Sequence, residues 1–433
     1  MRRVIWEADV RPVTVQKMLP RANSEDSSVL EKVSSLIAEV RNDGVRALKK
    51  HAENFDGVVP PSFKVPKSAL TEAIAHLDAN LRSAIEESIR RVRMVSERQM
   101  PESIIAEVTK GGVVTLNFKP VDSAGFYVPG GKAVYPSSVI MNVVPAQVAK
   151  VPRIVVMSPA QKNNGGLPDP AVLATAALLE VEDVYAIGGA SAIAALAYGV
   201  PELDLDQVQI ITGPGNIYVA TAKQLVRSQV AIDSEAGPTE IMIIADSSAN
   251  PVWLAADLIS QAEHDENAAA VLLTDSLETL EAVEAELATQ IPLATNRARI
   301  EKALAGKQSA LVLVKDIKQA ASIANEYAAE HLQIQTIDPQ EIAKFIRNAG
   351  AIFIGNHSPV SLGDYLAGSN HVLPTGSQAK RSAGLGVYSF LRPQQTVSFS
   401  ADALAQISDE VEIFAKAEGL PGHGDAVRIR FKS

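Results

Sequence analysis

Apolar residues return every three or four positions from Val29 to Phe55, as in Val29, Val33, Ile37, Val40 and Val45, with charged residues between them. That spacing gathers them on one face and predicts amphipathic helix, closed by the turn signal Asp56-Gly57. Leu70 to Gln99 repeats the pattern. From about Ser123 the texture changes, and short apolar runs end in glycine-rich turns followed by alanine-rich helices. The runs are RIVVMSP from Arg153, DVYAIGG from Asp183 and VQIITGPGN from Val208. A second cycle begins at Glu240 with IMIIAD, then a helix from Pro251 to about Ala269, then AVLLTD and a helix through Leu277 to Thr289. SALVLVKD, a helix ending near Leu332, and AIFIG complete it. Strands alternating with helices predict βαβ units and mostly parallel sheets. The expected fold class is therefore α/β, with two tandem Rossmann-like units, an N-terminal helical segment and a C-terminal arm from about Arg381 that lacks the alternation.

Length supports more than one packed unit, because 433 residues exceed what a single core usually accommodates. A formal net charge of -10 argues against general affinity for nucleic acid or anionic lipid. The chain has no cysteine, which excludes disulfides, thiolate metal sites and a cysteine nucleophile. Any metal must be held by nitrogen and oxygen. The opening MRRVIWEADVRPV lacks an apolar h-region, and no run approaches the ~18 apolar residues of a membrane span, so a cytoplasmic location is expected.

Candidate chemistry concentrates in SQAEHDENAA, Ser260 to Ala269, which sets Gln261, Glu263, His264, Asp265 and Glu266 into an apolar region. On a helix Asp257, Gln261 and His264 would share one face with Leu254 and Leu258. One histidine on such a face is more often a hydrogen-bonded core residue than a ligand. Yet five of the seven histidines lie at 264, 331, 357, 371 and 423, two of them in segments with a nearby carboxylate, YAAEHLQ and LGDYLAGSNH. Imidazole and carboxylate without thiol suit zinc or another borderline divalent ion. Glu330-His331 is expected at a helix C-terminus, where the dipole favours protonated histidine; proton exchange and simple dipole complementation are equally compatible with that. The turns GFYVPGGKAVYP, AIGGASA and TGPGN fall where open α/β sheets bind anionic or nucleotide-like ligands, though none matches the standard dinucleotide or P-loop fingerprint. Lys132 and Lys223 are candidates for phosphate contact, although a lone lysine is usually solvated.

Seven blocks, in order over nearly the whole chain, resemble the histidinol dehydrogenase family: YVPGGKAVYPSSVIMNVVPAQVA (127–149), GPGNIYVATAKQLV (213–226), AGPTEIMIIAD (236–246), DLISQAEHD (257–265), EYAAEHLQI (326–334), GDYLAGSNHVLPT (363–375) and AEGLPGH (417–423). The resemblance implies oxidation of L-histidinol to L-histidine through L-histidinal in two NAD-dependent steps, with one zinc ion per subunit at a homodimer interface. Gln261, His264, Asp364 and His423 match the family's zinc ligands, His423 coming from the other subunit on an exchanged arm. His331 matches the general base and Glu330 the residue that activates water. Tyr127, Ser191 and Asn216 match coenzyme-side positions. Thr239, His371 and Glu418 fall at substrate positions, together with His331 and the zinc ligands Gln261, His264, Asp364 and His423. The chain departs from the family pattern at Ser191, usually glutamine, and at Thr239, usually serine. Expected boundaries are 1–22 for an N-terminal extension, 23–125 plus 239–380 for a larger domain carrying most of the metal site, 126–238 for the NAD-binding domain and 381–433 for the arm.

Three rivals remain at this point: a paralogue oxidising another small polar alcohol such as a sulfonated diol, a zinc hydrolase, and a ligand-binding relative without activity. A hydrolase leaves the glycine-ended strands without a task. A binding protein would have lost part of the ligand set or the Glu-His pair, and none is missing. A sulfonate would call for cations near it, whereas Glu418 and His371 suit imidazole and ammonium groups.

Overall fold

The computed structural model describes residues 1–22, 27–130, 134–234 and 237–431. The chain opens with β1 (Arg2–Ile5) and α1 (Pro12–Met18), followed by α2 (Ser27–Asp43), α3 (Val45–His51), α4 (Lys67–Ala75) and α5 (Ala79–Gln99). The continuous helix expected over 29–55 is interrupted at Gly44, whose φ of 50° is a left-handed conformation that glycine adopts without Cβ strain. The second expected helix splits into α4 and α5, and Asp78 caps α5 by accepting from the backbone N–H of Asn80 and Leu81. A hairpin, β2 (Ile104–Thr109) and β3 (Gly112–Pro120), comes next.

The first parallel unit runs β4 (Ser123–Tyr127), α6 (Pro136–Val148), β5 (Arg153–Ser158), α7 (Pro170–Leu178), β6 (Asp183–Ala186), α8 (Gly189–Tyr198), β7 (Ile210–Thr212), α9 (Ile217–Val226) and β8 (Ala231–Ile232). Its strand order is β6-β5-β4-β7-β8, parallel throughout. The second unit begins with β9 (Glu240–Ala245), α10 (Pro251–Ala262), β10 (Ala269–Thr274), α11 (Leu277–Gln290), α12 (Arg297–Ala305) and β11 (Ala310–Leu313). It continues with α13 (Ile317–Tyr327), β12 (His331–Gln335), α14 (Pro339–Ala343), β13 (Ala351–Ile354) and α15 (Val360–Tyr365). Its order is β1-β11-β10-β9-β12-β13, also all parallel. Every residue of β9 and β10 is buried, as expected for strands covered by helices on both faces. Each of Ile241, Met242, Ile243 and Ile244 contributes roughly 1.5–3 kcal/mol by that burial.

Two groupings differ from expectation. Residues 1–22 are not a mere extension, because β1 pairs with β11 and completes the edge of the six-stranded sheet. The helices of 23–125 pack mainly on the five-stranded unit rather than on 239–380: α2 lies on α8 and α9, α4 on α7 and α5 on α6, while α5 also touches the other unit where Ser88 donates to the Tyr365 carbonyl and Arg91 to that of Leu366. The reason is apolar continuity, since Val29, Val33, Ile37 and Val40 share one core with Tyr127, Val155 and Ile193. Beyond residue 381, β14 (Leu391–Phe399) pairs with β3 over nine positions, and α16 (Ala401–Ala405), α17 (Ser408–Ala417) and α18 (Pro421–Arg428) follow. This end is therefore anchored to the β2-β3 hairpin. Ile104, Ile105, Val397, Ile413 and Phe414 leave its surface markedly apolar. Among the described residues no helix is long and apolar enough to cross a membrane.

Candidate active site

The acid–base pair forms where two parallel strands start. α13 ends at Tyr327 with Ala328 in the left-handed region (φ 52°), so the chain leaves the helix before reaching Glu330, and His331 opens β12. The expected helix-terminal placement of Glu330 and His331 is thus corrected, and no helix dipole acts on the imidazole. His331 stands beside Ile241 in register, next to the first residue of β9. Its Nδ1 lies 3.0 Å from the Glu240 carbonyl oxygen. A carbonyl can only accept, so Nδ1 carries the hydrogen, and in the neutral ring the lone pair is therefore on Nε2. Glu330, 7% exposed, accepts from the Thr239 hydroxyl at 2.5 Å and from the Glu240 N–H at 2.9 Å. Burial pushes its carboxyl above the usual carboxylate range, against the opposing pull of His331 and of those two donors. The Glu330 carboxylate and His331 Nδ1 are 3.5 Å apart.

Thr239 extends the cluster to α10, because its hydroxyl also accepts from Gln261 Nε2 at 2.5 Å. α10 stops at Ala262 rather than near 269, leaving His264 in the following turn with its N–H on the Gln261 carbonyl. Asp257 and Gln261 keep the expected i, i+4 spacing on α10, and only His264 leaves that face. The Asp257 carboxylate accepts from Gln333 and Gln335 of β12 at 2.8 and 2.9 Å. α15, which carries Asp364, packs on α10. The His264 ring still reaches solvent, yet surrounding protein lowers its pKa, and the nearby Asp364 works against that. His371 is lowered by burial too and feels Asp364, His331 and His264. Its Nδ1 bonds to the Asp364 carbonyl at 3.1 Å, and its Nε2 meets the Ser138 hydroxyl of α6 at 3.3 Å. The cluster therefore sits where the two parallel units meet.

Of the expected metal ligands, Gln261, His264 and Asp364 come into this region. His423 is exposed on α18 and Glu418 is exposed at the end of α17, and no described contact joins either to the cluster. Among the described residues no three His, Cys, Asp or Glu side chains are placed to hold a metal. An amide, an imidazole and a carboxylate are an open nitrogen and oxygen set of the kind zinc accepts, one donor short of a closed one.

The coenzyme-side positions lie at the carboxyl ends of the five-stranded sheet. Tyr127, the last residue of β4, is buried, and its hydroxyl accepts from the Gly189 N–H at 3.2 Å; burial pushes the phenol up to about 12. Ser191 is 5% exposed, and its hydroxyl is engaged by His51 Nδ1 at 2.8 Å, while His51 Nε2 meets Glu39 at 3.1 Å. Asn216 caps α9 by accepting from Tyr218 and Val219 N–H, which occupies its carbonyl oxygen. Gly213 (φ 122°) lies so close to the Tyr127 carbonyl that an added Cβ would stand 2.1 Å from it. Lys223 is not available for phosphate: its buried amino group bonds to the Gly213 carbonyl at 3.1 Å and pairs with Asp233. Lys132 lies outside the described residues.

Sequence reasoning missed His51, Asp56 and Arg21. Asp56 is half-buried beside Gly188, with no donor to its carboxylate among the described residues, and desolvation raises its pKa to about 6. Arg21 reaches Glu240 across 219 positions, a pairing that no local pattern announces.

Proton-handling groups on one parallel sheet and glycine-ended strands on the other place the molecule among the two-lobed α/β oxidoreductases. The profile of the histidinol dehydrogenase family matches residues 19–431. Histidinol dehydrogenase of Thermobifida fusca strain YX is 54% identical over 432 residues, 99% of this chain and 98% of the relative. That of Mycolicibacterium smegmatis is 51% identical, covering 99% and 96%. The crystal structure of histidinol dehydrogenase from Elizabethkingia anophelis superimposes with a TM-score of 0.93 at 31% identity, covering 99% of this chain and 98% of that one. The chain belongs to the histidinol dehydrogenase family, NAD-dependent oxidoreductases of histidine biosynthesis.

Proposed function

We propose that this chain oxidises L-histidinol to L-histidine through L-histidinal, using two NAD, one zinc ion per subunit and an active site shared across a cytoplasmic homodimer. The single observation that carries the reading is the buried Glu330-His331 pair, with one imidazole nitrogen fixed as donor and the other free. In the first oxidation His331 Nε2 would take the alcohol proton, and NAD, when bound, would supply the hydride acceptor for both oxidations. Water then adds to the aldehyde, and Glu330 accepts its proton. A carboxyl raised by burial is a stronger base than an exposed one, which suits that task near neutral pH. In the second oxidation the hydrate would lose its C–H hydride to a second NAD and one hydroxyl proton to His331 Nε2, which has released the first proton by then, leaving the acid.

Gln261, His264 and Asp364 would hold zinc together with His423 from a second copy of the chain. Bound there, zinc would supply Lewis-acid polarisation and orientation of the amino alcohol. Thr239, His371 and Glu418 would line the substrate. Tyr127, Ser191 and Asn216 would border the coenzyme; since the Ser191 hydroxyl is engaged by His51, its role would be to set the first turn of α8. The exposed apolar residues of β2, β14 and α17 support pairing of two chains in which α18 reaches the other site.

The test is the number of NADH formed per L-histidinol consumed to completion with zinc present. Two are expected. One would mean an enzyme that stops at the aldehyde, and none would assign the scaffold to a different alcohol.

A further inference from the structure

A part-buried ion pair adjoins the acid–base pair. The Glu240 side chain is 4% exposed, and the Arg21 guanidinium, 26% exposed, grips both of its oxygens, Nε on Oε1 and Nη2 on Oε2 at 3.3 Å. Arg21 also donates to the Tyr327 carbonyl at 2.5 Å and to the Ser377 hydroxyl at 2.8 Å, and it stacks 3.8 Å above the Tyr327 ring. The same Glu240 oxygen accepts from the Gly376 N–H at 3.3 Å. One planar fork thus joins three segments: the start of β9, the end of α13 that leads into Glu330, and the 375–377 loop that follows His371. The backbone of Glu240 is meanwhile the shared anchor of the pair, its N–H on Glu330 and its carbonyl on His331 Nδ1.

We propose that Arg21 is a positioning residue for the reaction: by fixing the Glu240 side chain, it sets the Glu240 backbone that orients Glu330 and His331. This inference rests on the proposed roles of those two residues. A bidentate guanidinium–carboxylate pair fixes orientation as well as distance, which a lysine cannot reproduce. Buried ion pairs are weak contributors to net stability but constrain geometry, and misplacing a catalytic group by about 1 Å can cost about 10²-fold in rate.

The test compares wild type, Arg21→Ala and Arg21→Lys in the zinc-loaded full-length protein with L-histidinol and NAD. For Arg21→Ala, kcat should fall about 10- to 100-fold while the KM values for NAD and histidinol move less than about threefold. Guanidinium ion added at sub-denaturing concentration should restore part of kcat, and sodium at equal ionic strength should not. A folded Arg21→Ala enzyme with wild-type kcat, or a loss that guanidinium leaves untouched, overturns the inference. If Arg21→Ala does not fold, Arg21→Lys decides: it keeps the charge without the fork, and wild-type kcat there is equally fatal. No NADH from the wild type would instead sink the proposed function, and the positioning role with it.

Discussion

Asp56→Asn should stabilise the protein near neutral pH and leave it unchanged in acid. Asp56 ends a π-helical turn (Ala52–Asp56) beside Gly188, and burial alone lifts its pKa from 3.8 to about 6. That rise corresponds to about 3 kcal/mol of differential interaction, and solvent screening of this half-buried group brings it to about 1.5 kcal/mol. The folded-state pKa lies above the unfolded one, so the folded protein binds the proton more tightly. Stability from this group is fully present below about pH 4 and is lost as pH rises through about 6. Asparagine cannot ionise and escapes that loss. With roughly 0.9 kcal/mol/K of unfolding entropy for 433 residues, the variant should melt roughly 2 °C above wild type at about pH 7.5 and nearly level with it at about pH 3.5. Scanning calorimetry of both proteins at both pH values measures this. An equal shift at the two pH values, or a lower melting point at pH 7.5, would refute the assignment of a desolvated carboxyl.

Thr239→Val should orphan Gln261 and weaken the hold on Glu330, costing about 1–3 kcal/mol for each unpaired group and lowering kcat, whereas Thr239→Ser should keep both; chemical denaturation and turnover report the two effects. Lys223→Met leaves Asp233 buried without its cation beneath the Gly213 turn, so a loss of roughly 3–5 kcal/mol and a raised KM for NAD are expected from melting and steady-state kinetics. Glu330→Gln should slow oxidation of L-histidinal by about 10²-fold or more while affecting the alcohol step less, read by assaying each substrate separately; equal slowing would remove Glu330 from water activation. His264→Ala should lose bound zinc and turnover together, and a metal-free active variant, detected by metal analysis of the purified protein, would exclude it as a ligand.

The parallel sheets were legible because strands buried on both faces read as unbroken apolar runs, IMIIA in β9 and AAVLLT in β10. β12 was not, because HLQIQ alternates, and its histidine and glutamines read as the tail of α13. Nothing local announces the end of that helix either, since Ala328 takes a left-handed conformation that glycine usually marks. β1 has four residues and one buried side chain, too short for periodicity. The packing of α2 to α5 on the five-stranded unit depends on contacts with distant segments, which spacing cannot encode. In the site, the residue types and the Glu330-His331 pair were readable, while the groups that hold them, the Glu240 backbone and Arg21, were not, because a backbone anchor has no sequence signature.

The two sheets contribute opposite edges. Tyr127, Gly188 and Gly213 stand at the carboxyl ends of their strands, the usual ligand edge of an open parallel sheet, but Glu240 and His331 are the first residues of theirs. The inversion follows from what each edge offers. At its amino edge a parallel sheet presents N–H groups not yet committed to the ladder, and Glu240 spends its N–H on the Glu330 carboxylate. A carboxyl edge would have presented carbonyl oxygens, which repel a carboxylate. The Glu240 carbonyl, one atom group further along, accepts from His331 Nδ1, so a single peptide unit and its neighbour hold an imidazole by one nitrogen and a carboxyl whose proton affinity burial raises. Under the proposed function, nicotinamide would lie on one side of the substrate carbon and the proton acceptors on the other. The Ser138–His371 contact joins the start of α6, which follows the carboxyl end of β4, to the segment after α15, so the seam between the two units lies beside the glycine-ended edge of one and the residues around Asp364 of the other.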